Sequence, residues 1–99
     1  MGYKVIWTDE AIADLRELVA FISSDNPSAA VKLGETLIQK SMVLAEHPRL
    51  GRMLRKSPSD SLRELIVPPY RLIYEINDEA LTVNVRLLWH GARQEPEIQ

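Results

Sequence analysis

Residues 81–93 constrain the fold more than any other stretch of the chain. Leu81, Val83, Val85, Leu87 and Trp89 fall at one parity, and Thr82, Asn84, Arg86, Leu88 and His90 at the other. Side chains on a strand alternate between its two faces, so this pattern predicts a strand with one apolar and one largely polar side. Tyr70-Arg71-Leu72-Ile73-Tyr74-Glu75-Ile76 reads as its partner, and Asn77-Asp78-Glu79-Ala80 as the turn between them. A β-hairpin with one buried and one open face is the expected result. Arg71 and the terminal His90-Gly91-Ala92-Arg93 are expected on the open face.

The remaining elements follow from local pattern. Tyr3-Lys4-Val5-Ile6-Trp7 is rich in β-branched and aromatic residues and predicts a short strand. Thr8 stands where a helix N-cap belongs, with Asp9 and Glu10 in the favourable first turn. Ile12, Leu15, Val19 and Ile22 then recur at helical spacing to about Ser24. Asn26-Pro27 restarts the pattern as a cap followed by a proline at the first helical position. Ala30, Leu33, Leu37 and Leu44 form one stripe, widened by Val31, Ile38 and Ala45. The helix should stop near Glu46, because His47 precedes Pro48. Two long helices with a short link pack as an antiparallel pair. Pro48 to about Ser61 reads as a loop, Leu62–Val67 as a third strand, and Pro68-Pro69 as its boundary.

The order is therefore β-α-α-β-β-β. It implies an α+β fold, with a helical hairpin on one face of a small, mainly antiparallel sheet. Residues 1–99 make a single domain, with 94–99 a frayed tail. The strand order stays open.

Composition narrows the function classes. No apolar run suits a membrane crossing and no export leader is evident, so a cytoplasmic location is expected. Without cysteine there is no thiolate site, and the two histidines lack ligand spacing, so no metal or other cofactor is expected. A net charge of −2 argues against a protein that grips nucleic acid by bulk phosphate neutralisation. Yet residues 49–74 hold Arg49, Arg52, Arg55, Lys56, Arg63 and Arg71 against only Asp60 and Glu64. This basic segment is either a solvated loop or a contact surface for another macromolecule. Arginine forks suit phosphate and carboxylate, and glutamates such as Glu64 and Glu75 can instead neutralise them in ion pairs. His90 can transfer a proton near neutral pH. Trp7, Tyr74 and Trp89 read as core aromatics, and the facing of Arg63 is ambiguous.

Several motifs together resemble the ParE/RelE toxin superfamily across nearly the whole chain. They are Trp7 and Ala11, Asp14-Leu15, Asn26-Pro27, Pro48-Arg49-Leu50-Gly51-Arg52, Arg63-Glu64-Leu65, Tyr70-Arg71-Leu72-Ile73-Tyr74 and His90-Gly91-Ala92-Arg93. His47 to Arg52, followed by Arg-Glu-Leu and Tyr-Arg-x-x-Tyr, looks closest to the ParE branch. The resemblance implies the toxin of a type II toxin–antitoxin pair, often called a plasmid stabilisation protein. Its implied partners are a cognate antitoxin and, as target, DNA gyrase. DNA contact is implied only through the antitoxin complex, and no membrane is involved. Arg63, Arg71, His90 and Arg93 are the implied target-binding residues, acting as contacts and not as catalysts. The alternatives are a ribosome-dependent messenger RNase, for which Arg71, His90 and Arg93 would serve, and a degenerate member that binds only antitoxin. The chain has no tyrosine after Tyr74, which departs from the RNase pattern.

Overall fold

A computed structural model describes residues 2–54 and 61–90. Strand β1 (Lys4–Trp7) leads into helix α1 (Asp9–Ser23), then α2 (Pro27–Met42), a 3-10 turn at Val43–Ala45, β2 (Arg52–Met53), β3 (Leu62–Val67), β4 (Tyr70–Asn77) and β5 (Thr82–His90). The α+β fold is as expected, with a two-residue β2 added. That strand is too short to leave a hydrophobic pattern. It exists because Arg52 and Met53 pair with Glu64 and Arg63.

Both helix starts follow from their caps. Thr8 Oγ1 accepts from the Ala11 N–H and donates to the Val85 carbonyl, which joins the start of α1 to β5. The Asn26 side chain accepts from the Ala29 N–H, and Pro27 opens α2. The helical α2 ends at Met42, and the 3-10 turn carries the chain on to Ala45.

The five strands run in the order β1-β5-β4-β3-β2. The first strand of the chain pairs with the last, in parallel, and the other pairings are antiparallel. The main core lies between sheet and helices. Leu72, Tyr74, Ile76, Val83 and Val85 meet Ala11 and Leu44 there, flanked by Val5, Trp7, Leu65 and Leu88. The Trp7 indole N–H donates to Ser41 Oγ at 3.0 Å, so a buried hydroxyl ties β1 to α2. Val31 and Ile38, expected to widen the buried stripe of α2, are exposed, and the residues that α2 buries are Ala30, Leu37 and Ser41.

One correction changes the whole reading of β5. Its alternation is broken. Tyr74 faces Val85 but Ile73 faces Leu87, so Arg86 is an extra residue in a β-bulge. Each residue beyond the bulge is turned to the opposite face. Leu88 and His90, opposite Leu72 and Tyr70, therefore join the helix side, whereas Leu87 and Trp89, opposite Ile73 and Arg71, lie on the far side. Leu81 is not in the strand. It sits in the turn with φ 55°, in the left-handed region, and is exposed.

Candidate functional site

The face turned away from the helices is not simply polar. Leu54, Leu62 and Ile73 form a second apolar cluster there, with Leu87 packed against it. Beside it lies Glu64, only 3% exposed. Its carboxylate accepts from Arg52 Nε through one oxygen and from Arg71 Nη1, at 3.2 Å, through the other. The three residues come from adjacent strands. β2 places Arg52 opposite Glu64, while Arg71 on β4 is paired with Ile66, one alternation along β3 from Glu64. Burying a carboxylate is costly unless it is paired and hydrogen-bonded, and both conditions hold here. Arg71 is flanked on β5 by Trp89, whose buried indole N–H has no hydrogen-bond partner among the described residues.

Arg71 lies on the open face, as expected. Arg63 shares the helix-side parity of Leu65 and Tyr74, and its guanidinium donates to the carbonyls of Gly51, at 2.9 Å, and Arg49. It braces the loop before β2. His90 does not share a face with Arg71. Its ring stands perpendicular to that of Tyr70, 5.4 Å away, beside a cleft lined by Asp14, Leu18, Phe21, Ile22 and Leu88. β1 covers only the first half of β5, and Asp14 Oδ2 accepts the Leu88 N–H from the uncovered half. Arg93 lies outside the described residues. The expectation that Arg71 and His90 share the open face is thus replaced by a division between two faces, caused by the bulge at Arg86.

The residues missed from sequence are Glu64 as an organiser and Arg52 as its partner. Their separation of twelve positions has no helical or strand periodicity and becomes a contact only through β2–β3 pairing. The Pro48–Arg52 loop shows the same effect. Tyr74 Oη donates to the Pro48 carbonyl at 2.7 Å and accepts the Gly51 N–H at 2.9 Å. A Cβ on Gly51 would come within 2.4 Å of the Glu64 carbonyl oxygen, so only glycine fits. Burial raises the Tyr74 phenol above its ordinary value, partly offset by the Gly51 N–H and nearby arginines. Farther out, Asp78 accepts from Tyr3 Oη at 2.7 Å and from Arg49 Nη2 at 2.8 Å, and Arg49 chiefly holds its carboxyl below the ordinary value of 3.8.

This geometry has close counterparts. Residues 5–95 match the family model described as ParE toxin of type II toxin-antitoxin system, parDE. Toxin RelE2 of Caulobacter vibrioides is 35% identical over 91 residues, covering 91% of this chain and 97% of that protein. Among solved structures, the chromosomal ParDE toxin–antitoxin system of P. aeruginosa superposes with a TM-score of 0.73 at 18% identity, over 89% of this chain and 95% of that one. The RelBE2 toxin–antitoxin complex of Mycobacterium tuberculosis does so with a TM-score of 0.70 at 26% identity, over 91% and 99%. With the family model spanning the helical hairpin and every strand of the sheet, the chain belongs to the ParE toxin family of type II toxin–antitoxin systems.

Proposed function

We propose that this toxin acts by binding DNA gyrase and holding it on cleaved DNA, and that a cognate antitoxin neutralises it. The observation that carries this reading is the separation of Arg71 from His90 by the thickness of the sheet. Cleavage of an RNA backbone needs a proton-transfer group within reach of the phosphate that the cations hold. Here the imidazole stands on the helix side, and the carboxylate beside Arg71 has both oxygens engaged by guanidinium groups. Lack of a placed acid or base costs roughly 10²–10⁴ in rate. Poisoning by binding requires a surface only. Arg71 contributes to that surface directly, and Arg93 joins it in this reading on the family resemblance. Arg63 contributes by shaping the loop, and His90 through the cleft along α1. Phe21, 77% exposed at the rim of that cleft, supports the antitoxin as its occupant.

Purified toxin added to gyrase should abolish supercoiling and accumulate cleaved complexes. Unaffected supercoiling counts against this reading. The RelE names of the relative and the M. tuberculosis neighbour favour a second one, cleavage of messenger RNA on the ribosome. Primer extension on translated messages would then show cuts within codons, which the gyrase reading does not produce.

A further inference from the structure

We infer that the cleft between α1 and the uncovered half of β5 is built for an amphipathic helix with lysine or arginine beside its apolar stripe. This rests on the reading of the cleft as the antitoxin's, and it names the chemistry that the cleft selects.

The shape of the cleft favours a helix over a strand. Its apolar part is Leu18, Ile22 and Leu88, with the exposed Phe21 at the rim. Leu18, Phe21 and Ile22 lie three and four positions apart on α1, so they form one ridge that packs against the stripe of a second helix. Past Val85 the edge of β5 has no β1 beside it, and in principle a foreign strand could pair there. The Leu88 N–H on that edge is already held by Asp14 Oδ2 at 3.0 Å, so an added strand would have to displace a carboxylate. A helix laid along α1 leaves that bond in place.

Charge decides which helix. The lining includes two carboxylates, Asp14 and Glu17, one turn apart, and no lysine or arginine. Helix α1 as a whole carries Asp9, Glu10, Asp14 and Glu17 against Arg16 alone, a net −3. Two other occupants are unsuited to it. Residues 91–99 hold Arg93 against Glu95 and Glu97, a net −1, with Ile98 as their one large apolar side chain. A second copy of the chain, facing cleft to cleft, would set the Asp14 and Glu17 carboxylates of both copies against one another, and such like-charge contacts oppose association. A separate segment with cationic flanks meets both requirements. Lysine and arginine stems cover apolar surface while their heads reach the carboxylates.

The test is fluorescence anisotropy of the full chain with three labelled helical peptides of about sixteen residues, long enough to hold a helix. They share one leucine stripe and carry lysine, glutamine or glutamate at the positions beside it. The lysine peptide should bind about 5-fold tighter than the glutamine peptide, the glutamate peptide weakest, and the preference should shrink as salt is raised. Glu17→Lys, at an exposed helical position, should reverse the order. Equal binding of the three peptides, or an order that Glu17→Lys leaves unchanged, overturns the inference. Adding the cognate antitoxin to the peptide-loaded toxin separates this inference from the reading beneath it. Displacement of the lysine peptide supports both. A lysine preference that persists while antitoxin binds without displacing the peptide supports the chemistry of the cleft and removes the antitoxin as its occupant.

Discussion

Tyr74 shows how much one side chain settles in a protein of this size. Its ring is fully buried in the main core, and its hydroxyl is the junction on which the Pro48–Arg52 loop closes. Tyr74→Phe keeps the ring and strands the Gly51 N–H and the Pro48 carbonyl. It should cost about 1–3 kcal/mol, read as a fall of roughly 4–8 °C in Tm per kcal/mol. Gly51→Ala should be at least as severe, because its Cβ meets the Tyr74 hydroxyl at 2.6 Å as well as the β3 backbone, and backbone cannot rotate away. Thermal melts of the two variants would show it, and a Gly51→Ala melt within a degree of wild type would contradict the packing described. The phenol also sets an alkaline limit. Its folded pKa is raised, so the stabilisation is complete below the ordinary tyrosine value of 10.0 and is lost as pH rises toward the folded one. Tyr74→Phe should lack that part of the alkaline decline.

At the level of elements, caps and bulges decide where chemistry ends up. Thr8 both caps α1 and bonds to β5, so Thr8→Ala should cost about 1–2 kcal/mol, and Thr8→Ser, which keeps the hydroxyl, distinctly less. The bulge can be tested by cross-linking, since the chain has no cysteine of its own. Arg71→Cys with Trp89→Cys should form a disulfide on oxidation, and Arg71→Cys with Leu88→Cys should not. An unbroken alternation would predict the reverse. These elements also mark the boundary of what could be read beforehand. Both helices, their caps and every described strand but the two-residue β2 are legible because capping residues, β-branched runs and periodic apolar positions are local signals. The bulge is not. Val85, Leu87 and Trp89 continue the apolar parity of Val83, and nothing local distinguishes a regular strand from one in which Arg86 is extra. Only the pairing of β4 with β5 reveals it. Glu64 was foreseen as a neutralising partner for arginine, but its burial depends on the sheet around it.

For the molecule as a whole, the Tyr3–Asp78–Arg49 cluster joins the start of β1, the loop after the helices and the β4–β5 turn, segments far apart in sequence. Arg49 lowers the Asp78 pKa, so the contribution of the cluster is present above 3.8 and disappears as pH falls through the lower, folded value. In acid titrations followed by circular dichroism, Asp78→Asn should remove that component and leave a shallower acid limb. Identical limbs would show that the cluster does not secure the fold. The pairing of β1 with β5 has a further consequence for how the protein comes into being. A nascent chain makes its first strand at the outset and its only described strand partner last, so the amino-terminal ribbon must wait for nearly the full length to leave the ribosome. A truncated translation product that lacks β5 holds both helices and four strands with β1 unmated, and so cannot complete the five-stranded sheet.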